Sequence, residues 1–261
     1  MFDTSSLFRR YLIAFYFSAS LAAASPSVGA QPLRVLTAGA FKPVVVELTE
    51  AFERESQQKL IVDNDTAGAI LRRIRSGEPW DLVIAPPATL AALAKDDRID
   101  SASLAPLARV AIGVAVRQGS PKPEIGTVEQ FKAAVLAARS PAYIDPKAGG
   151  SSGIYLDGLF QRLGISEALR GKAVLVPGGL VAERLITGEA DLAIHQISEI
   201  LPVKGAELVG PLPSSIQNYT DYSAAIVRGS SMISSSQTLV ALLRSERAAA
   251  IIALRGMAAL K

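Results

Sequence analysis

The chain has 261 residues, with 27 lysines and arginines against 24 acidic side chains, a formal charge of +3, one histidine and no cysteine. The absence of cysteine excludes disulfides, thiolate metal sites and cysteine nucleophiles, and a lone histidine excludes a histidine-rich metal centre. The small net charge is evenly spread and comes with a single tryptophan, which argues against a nucleic-acid partner, where a basic face with stacking platforms is expected.

In chain order, Arg9 and Arg10 precede an apolar segment from Tyr11 to Ala24, and Val28-Gly29-Ala30 supplies small residues before Gln31. This is the order of a cleavable signal peptide over residues 1–30, and the serines that interrupt the apolar run argue against the alternative of an uncleaved anchor. The mature chain is then expected in the periplasm, starting near Gln31, with a formal charge of +2 once Arg9, Arg10 and Asp3 are removed.

From Leu33 onward, short apolar runs alternate with amphipathic segments, the βαβα grammar of an α/β protein with largely parallel sheets. Strands are expected at Leu33–Thr37, Leu60–Asn64 and Leu82–Ala85, the last stopped by Pro86-Pro87, with helices at Pro43–Glu55, Gly68–Ser76 and Thr89–Lys95. The longer run Leu107–Val116 ends in the polar, proline-rich stretch Arg117–Pro123, which reads as a crossing between lobes. A second set follows: helices at Val128–Ala138, Gly153–Leu163 and Leu180–Thr187, and strands at Ala142–Ile144 and Ala173–Val176 and around His195. Glu207–Pro213 is expected to return the chain, and a helical region to follow Ser234. The order implies two α/β lobes, residues 31–110 with 206–261 and residues 111–205, joined by a double crossing; one large continuous sheet is the plainer alternative.

In such a fold, ligands bind at the carboxyl ends of strands, where helix N-termini offer free N–H groups. The loops there hold Gly39 and Ala40, Thr66 and Ala67, Lys147 with Ser151 and Ser152, and the His195-Gln196 pair with Glu199. Gly149-Gly150-Ser151-Ser152-Gly153 is suited to holding an anion through close backbone approach and serine hydroxyls, although a flexible loop with an N-cap reads equally well. Thr66 reads as a helix cap or as a ligand contact, and Lys42 and Lys147 are candidate counter-charges to an anion. His195 is either a hydrogen-bonded core histidine or a site residue, and its polar neighbours Gln196, Ser198 and Glu199 favour the site. No Gly-x-x-x-x-Gly-Lys phosphate loop is present, and neither a cofactor nor a metal is expected.

Over nearly all of this length the chain resembles the extracytoplasmic solute-binding proteins of the type II periplasmic binding fold, in particular the molybdate-binding group. The likeness is carried by Val35-Leu36-Thr37-Ala38-Gly39-Ala40-Phe41, Gly68-Ala69-Ile70, Gly77-Glu78-Pro79-Trp80-Asp81-Leu82-Val83-Ile84, Asp145-Pro146-Lys147 and Gly188-Glu189-Ala190-Asp191-Leu192. It implies a two-lobed monomer with an interlobe cleft for a small anion, and an ABC-transporter membrane component as partner. At three positions the resemblance fails. Gly39-Ala40 lacks the hydroxyl of the group's Ala-Ala-Ser, Ala67 stands for a serine, and Gln196 for a tyrosine. A small tetrahedral oxyanion loses contacts there, so a di- or tricarboxylate is the expected ligand. The group is also similar to an exported enzyme, aconitate isomerase, which implies a second function: proton transfer on an allylic tricarboxylate, with His195 as base and Glu199 or Lys147 assisting.

Overall fold

A computed structural model describes residues 31–260. The expected signal peptide, residues 1–30, lies outside the described residues.

The first lobe is built on β1 (Leu33–Ala38), β2 (Leu60–Asp65) and β3 (Leu82–Ala85), which run parallel in the order β2-β1-β3. Helix α1 (Lys42–Ser56) carries Pro43 in its first turn, where the fixed φ and missing N–H are suited, and is followed by Gln57, which is left-handed at φ 56°. Its buried residues Val44, Val45, Leu48, Ala51 and Phe52 recur at helical spacing, so one stripe faces the sheet. Helix α2 (Ala67–Arg75) is capped by Thr66, and α3 (Pro87–Lys95) starts at the expected proline pair.

Strand β4 (Ala105–Arg117) belongs to both lobes. Its first half pairs with β9 (Tyr219–Ile226) and β10 (Met257–Ala259), and its second half with β7 (Leu192–Gln196) and β8 (Ala206–Pro211). The apolar packing changes with it: Val110 lies in the core shared with β1 and β3, whereas Ile112 lies in a core with Phe131, Leu156 and Phe160. Parallel strands β5 (Pro141–Ile144) and β6 (Val174–Val176) complete the second sheet beside β7. Its two faces are covered by separate cores, one under α4 (Val128–Ala137) and α5 (Ser151–Arg162), the other containing Val181 and Leu185 around α7 (Glu183–Thr187). The short α6 (Ser166–Leu169) follows α5.

The fold is thus the two-lobed type II architecture with a double crossover, and its two sheets are hydrogen-bonded through the shared β4. Residues 206–211 run back along β4 from Arg117 to Gly113, toward the first lobe. Strand β8 still pairs with the second half of β4, Leu212 packs in the second lobe, and the first-lobe core resumes at Tyr222. Strand β9 was not expected, because Thr220, Asp221 and Ser223 break up the apolar pattern of the segment. It runs antiparallel between β3 and β4, in the middle of the first sheet. Helices α9 (Ile233–Leu243) and α10 (Glu246–Leu254) make up the expected C-terminal helical region.

Candidate functional site

The carboxyl ends of β1, β2, β5 and β7 converge on a cavity of about 130 Å³ between the lobes. Nine of the expected residues stand in its wall: Gly39, Ala40, Thr66, Ala67, Ser151, Ser152, His195, Gln196 and Glu199. Lys147 does not. It is exposed on a short turn whose geometry is set by its own N–H donating to Asp145 Oδ1 at 2.9 Å. Lys42 is also outside the wall and bonds to Asn64, which lines it. Asn64, Asp65 and Tyr222 are wall residues that sequence reasoning missed.

The serines differ from expectation in one respect. Helix α5 starts at Ser151 with Gly150 as its N-cap, so Ser151 and Ser152 occupy the first turn and make no side-chain cap. Their backbone N–H groups belong to the unpaired set at a helix start, on the positive end of a 12-residue helix. Gly153 is required for packing: a Cβ there would lie 2.3 Å from the carbonyl oxygen of Ile144, itself a wall residue.

His195 is the penultimate residue of β7, and Glu199 lies four residues on, in α8 (Ile197–Ile200). The strand-to-helix turn brings Nε2 of the ring to 3.2 Å from Oε2 of the carboxyl. Both are buried, at 2% and 8% exposure. Burial disfavours either charge, pushing the imidazole down to about 3 and the carboxyl up to about 8. Both directions favour an uncharged pair at neutral pH, with the carboxyl O–H donating to Nε2 and the ring hydrogen on Nδ1, which has no partner. The other carboxyl oxygen, Oε1, lies 2.7 Å from where a Cβ of residue 39 would stand. Gly39 is therefore the seat of the Glu199 carboxyl.

The adjacent Gln196 is tied into a network spanning both lobes. Its Nε2 donates to Thr220 Oγ1 at 3.0 Å and to Ser151 Oγ at 3.4 Å, and the Tyr222 hydroxyl donates to its Oε1 at 2.9 Å. Burial holds the Tyr222 phenol well above its ordinary value, so it stays a donor. The position thus has a tyrosine hydroxyl after all, supplied by the unexpected β9.

The lobes touch at the rim. Thr66 donates its hydroxyl to the Ala148 carbonyl at 2.7 Å, and the Gly68 N–H donates to the Gly149 carbonyl at 3.1 Å. Thr66 also accepts the Ala69 N–H as a cap, so its hydroxyl hydrogen is already committed across the cleft. Among the described wall residues the acidic side chains are Asp65 and Glu199, and none is a lysine or arginine. An anion held here meets helix starts, backbone N–H groups and neutral donors.

A two-lobed α/β chain with a cavity of this kind, at the strand ends and between the lobes, is a solute-binding protein in architecture. Residues 33–258 match the family model of the bacterial extracellular solute-binding proteins, and the chain belongs to that family. It is 34% identical over 243 residues to an aconitate isomerase from a Pseudomonas species, covering 90% of this chain and 91% of that one. In fold it is similar to the periplasmic molybdate-binding protein of Azotobacter vinelandii, with TM-score 0.74, 18% identity and coverage of 88% and 100%. It is likewise similar to the sulfate-binding protein SubI of Mycobacterium tuberculosis, with TM-score 0.68, 17% identity and coverage of 87% and 86%.

Proposed function

We propose that this chain is an aconitate isomerase built on the solute-binding fold, taking a tricarboxylate into the interlobe cavity and interconverting its cis and trans forms. The observation that carries this reading is the buried His195–Glu199 pair with one carboxyl oxygen over Gly39, in a wall without lysine or arginine. The 34% identity to a Pseudomonas aconitate isomerase over 90% of the chain supports it.

The chemistry needs one base. A carboxylate removes a proton from the methylene beside the double bond, and the electron pair spreads over the allylic carbons into the adjoining carboxylate. The proton then returns to the former vinyl carbon. One C–H bond breaks and one forms, the double bond moves, and no oxidant or cofactor is consumed. The geometry favours Glu199 as that base, with His195 as its positioning residue, the reverse of the assignment expected from sequence. Glu199 Oε1 points to Gly39, while His195 lies behind it with Nε2 on Oε2. A carboxyl raised to about 8 by burial is a stronger base than one in water. In the carboxylate form, Nε2–H donates to Oε2 and leaves Oε1 to the substrate. Gly39, Ala40, Ala67, Ser151, Ser152 and Gln196 surround the ligand, with the start of α5 facing a carboxylate.

Incubating the purified chain with cis-aconitate and following the trans isomer by chromatography tests the proposal. Turnover that is lost in Glu199→Gln supports it, and a ligand recovered unchanged refutes it. The rim contacts that close the cleft favour one second reading, capture of a di- or tricarboxylate for an ABC-transporter membrane component, and an unchanged but tightly bound ligand is its signature. Both readings place the chain in the periplasm as a monomer, after removal of residues 1–30; N-terminal sequencing of exported protein checks the cleavage.

A further inference from the structure

A tricarboxylate brings several negative charges to a wall without a lysine or arginine, yet a cation stands directly behind that wall. Lys42 Nζ donates to Asn64 Oδ1 at 2.7 Å. An ammonium can only donate, so this contact settles which end of the Asn64 amide is oxygen and turns its NH₂ the other way. That Nδ2 lies 3.6 Å from where a Cβ of residue 39 would stand, over the same glycine that seats Glu199 Oε1. It makes no hydrogen bond to protein among the described residues, and Asn64 lines the cavity. An ammonium on the carbonyl end of an amide polarises it and strengthens its N–H groups as donors.

We propose that Asn64 is a carboxylate-recognition residue and Lys42 its positioning residue, together presenting a charge-backed N–H donor to the ligand carboxylate nearest Glu199. The proposal rests on the tricarboxylate reading of the cavity. It also accounts for the use of an amide in place of a cation: an ammonium beside Glu199 would hold the carboxyl as a fixed ion pair and weaken it as a base. The relay supplies attraction to the ligand while the charge stays outside the wall. During proton removal, the same donor faces the carboxylate into which the electron pair spreads.

The test uses two readouts on the full mature chain: calorimetric binding of tricarballylate, a saturated tricarboxylate that cannot isomerise, and steady-state kinetics with cis-aconitate. Asn64→Asp replaces both donors with acceptors and adds a charge that Lys42 can pair, so the fold is kept while tricarballylate binding weakens by about 100-fold. Lys42→Met weakens binding by about 10-fold and raises KM, and Lys42→Arg restores most of the loss, since a donor to Oδ1 is retained. Wild-type affinity in Asn64→Asp overturns the proposal, as does a Lys42→Met variant that changes only thermal stability. If the wild type binds tricarballylate but does not turn over aconitate, the isomerase reading fails while the binding series still decides this one. If it binds no tricarboxylate at millimolar concentration, both fall.

Discussion

Replacing Gly39 with alanine adds one methyl group at the point where the structure is least able to take it. The new Cβ lies 2.7 Å from Glu199 Oε1, and ordinary contact begins at 3.4 Å, so the carboxyl must yield by about 0.7 Å. A displacement of that size along the His195 contact lengthens it from 3.2 Å to about 3.9 Å, beyond hydrogen-bonding distance. Gly39 is not in the left-handed region, so alanine meets no backbone strain, and the obstructing atom is the tip of a side chain. Losing a buried hydrogen bond costs about 1–3 kcal/mol, and the lower entropy of an unfolded chain without that glycine offsets about 0.4–1 kcal/mol of it. Thermal stability should therefore fall only slightly. Catalysis should suffer far more, because misplacing a reacting group by about 1 Å costs on the order of 100-fold. The assay is kcat for cis-aconitate across pH, beside a melting curve for each protein. A Gly39→Ala variant with wild-type kcat and an unchanged pH profile would refute the seating of Glu199 on Gly39 as a determinant of function.

Three further outcomes are expected. Stability should follow the two buried groups: His195, depressed to about 3, makes the fold gain stability as pH rises from about 3 to 6.5, and Glu199, raised to about 8, makes it lose stability from about 4.5 to 8. The slopes oppose each other between about 4.5 and 6.5, so melting temperature should be flat there and fall from about 6.5 to 8; a Glu199→Gln variant that still shows the upper fall would sink this account. Gly68→Ala places a Cβ 3.1 Å from Gly149 Cα across the cleft, so ligand affinity should drop by about 10-fold with little change in the melting temperature of the ligand-free protein; equal affinity by calorimetry would show that this rim contact is not closing the cleft. Gly153→Ala drives a Cβ to 2.3 Å from the Ile144 carbonyl, and a loss of about 1–3 kcal/mol in denaturant unfolding is expected, with an unchanged midpoint counting against the packing argument.

The α/β alternation was legible because the elements carry their own local signals: the Val44-Val45-Leu48-Phe52 stripe of α1, the apolar run of β3 with its Pro86-Pro87 stop, and the short apolar stretches that open β1 and β7. Nine wall residues were legible for a related reason, since polar loops that follow such strands face the strand ends. Strand β9 was not legible, because most of its residues are polar or small and its burial comes from neighbours far along the chain, β3 and β4. Lys147 looked like a counter-charge from its loop, but only the turn geometry decides that it faces solvent.

What the sequence determined by itself is local: periods, stops, the absence of cysteine, and a single histidine at a strand end beside polar residues. The tertiary structure alone decided which oxygen of Glu199 sits over Gly39, that Tyr222 arrives from β9 to hold Gln196, and that Lys42 bonds to Asn64. These are contacts between residues 22 to 160 positions apart, and their geometry depends on how two sheets share one strand. No local pattern encodes such distances, because the chain specifies each element by its own periodicity but places them against one another only through the packed cores of the two lobes.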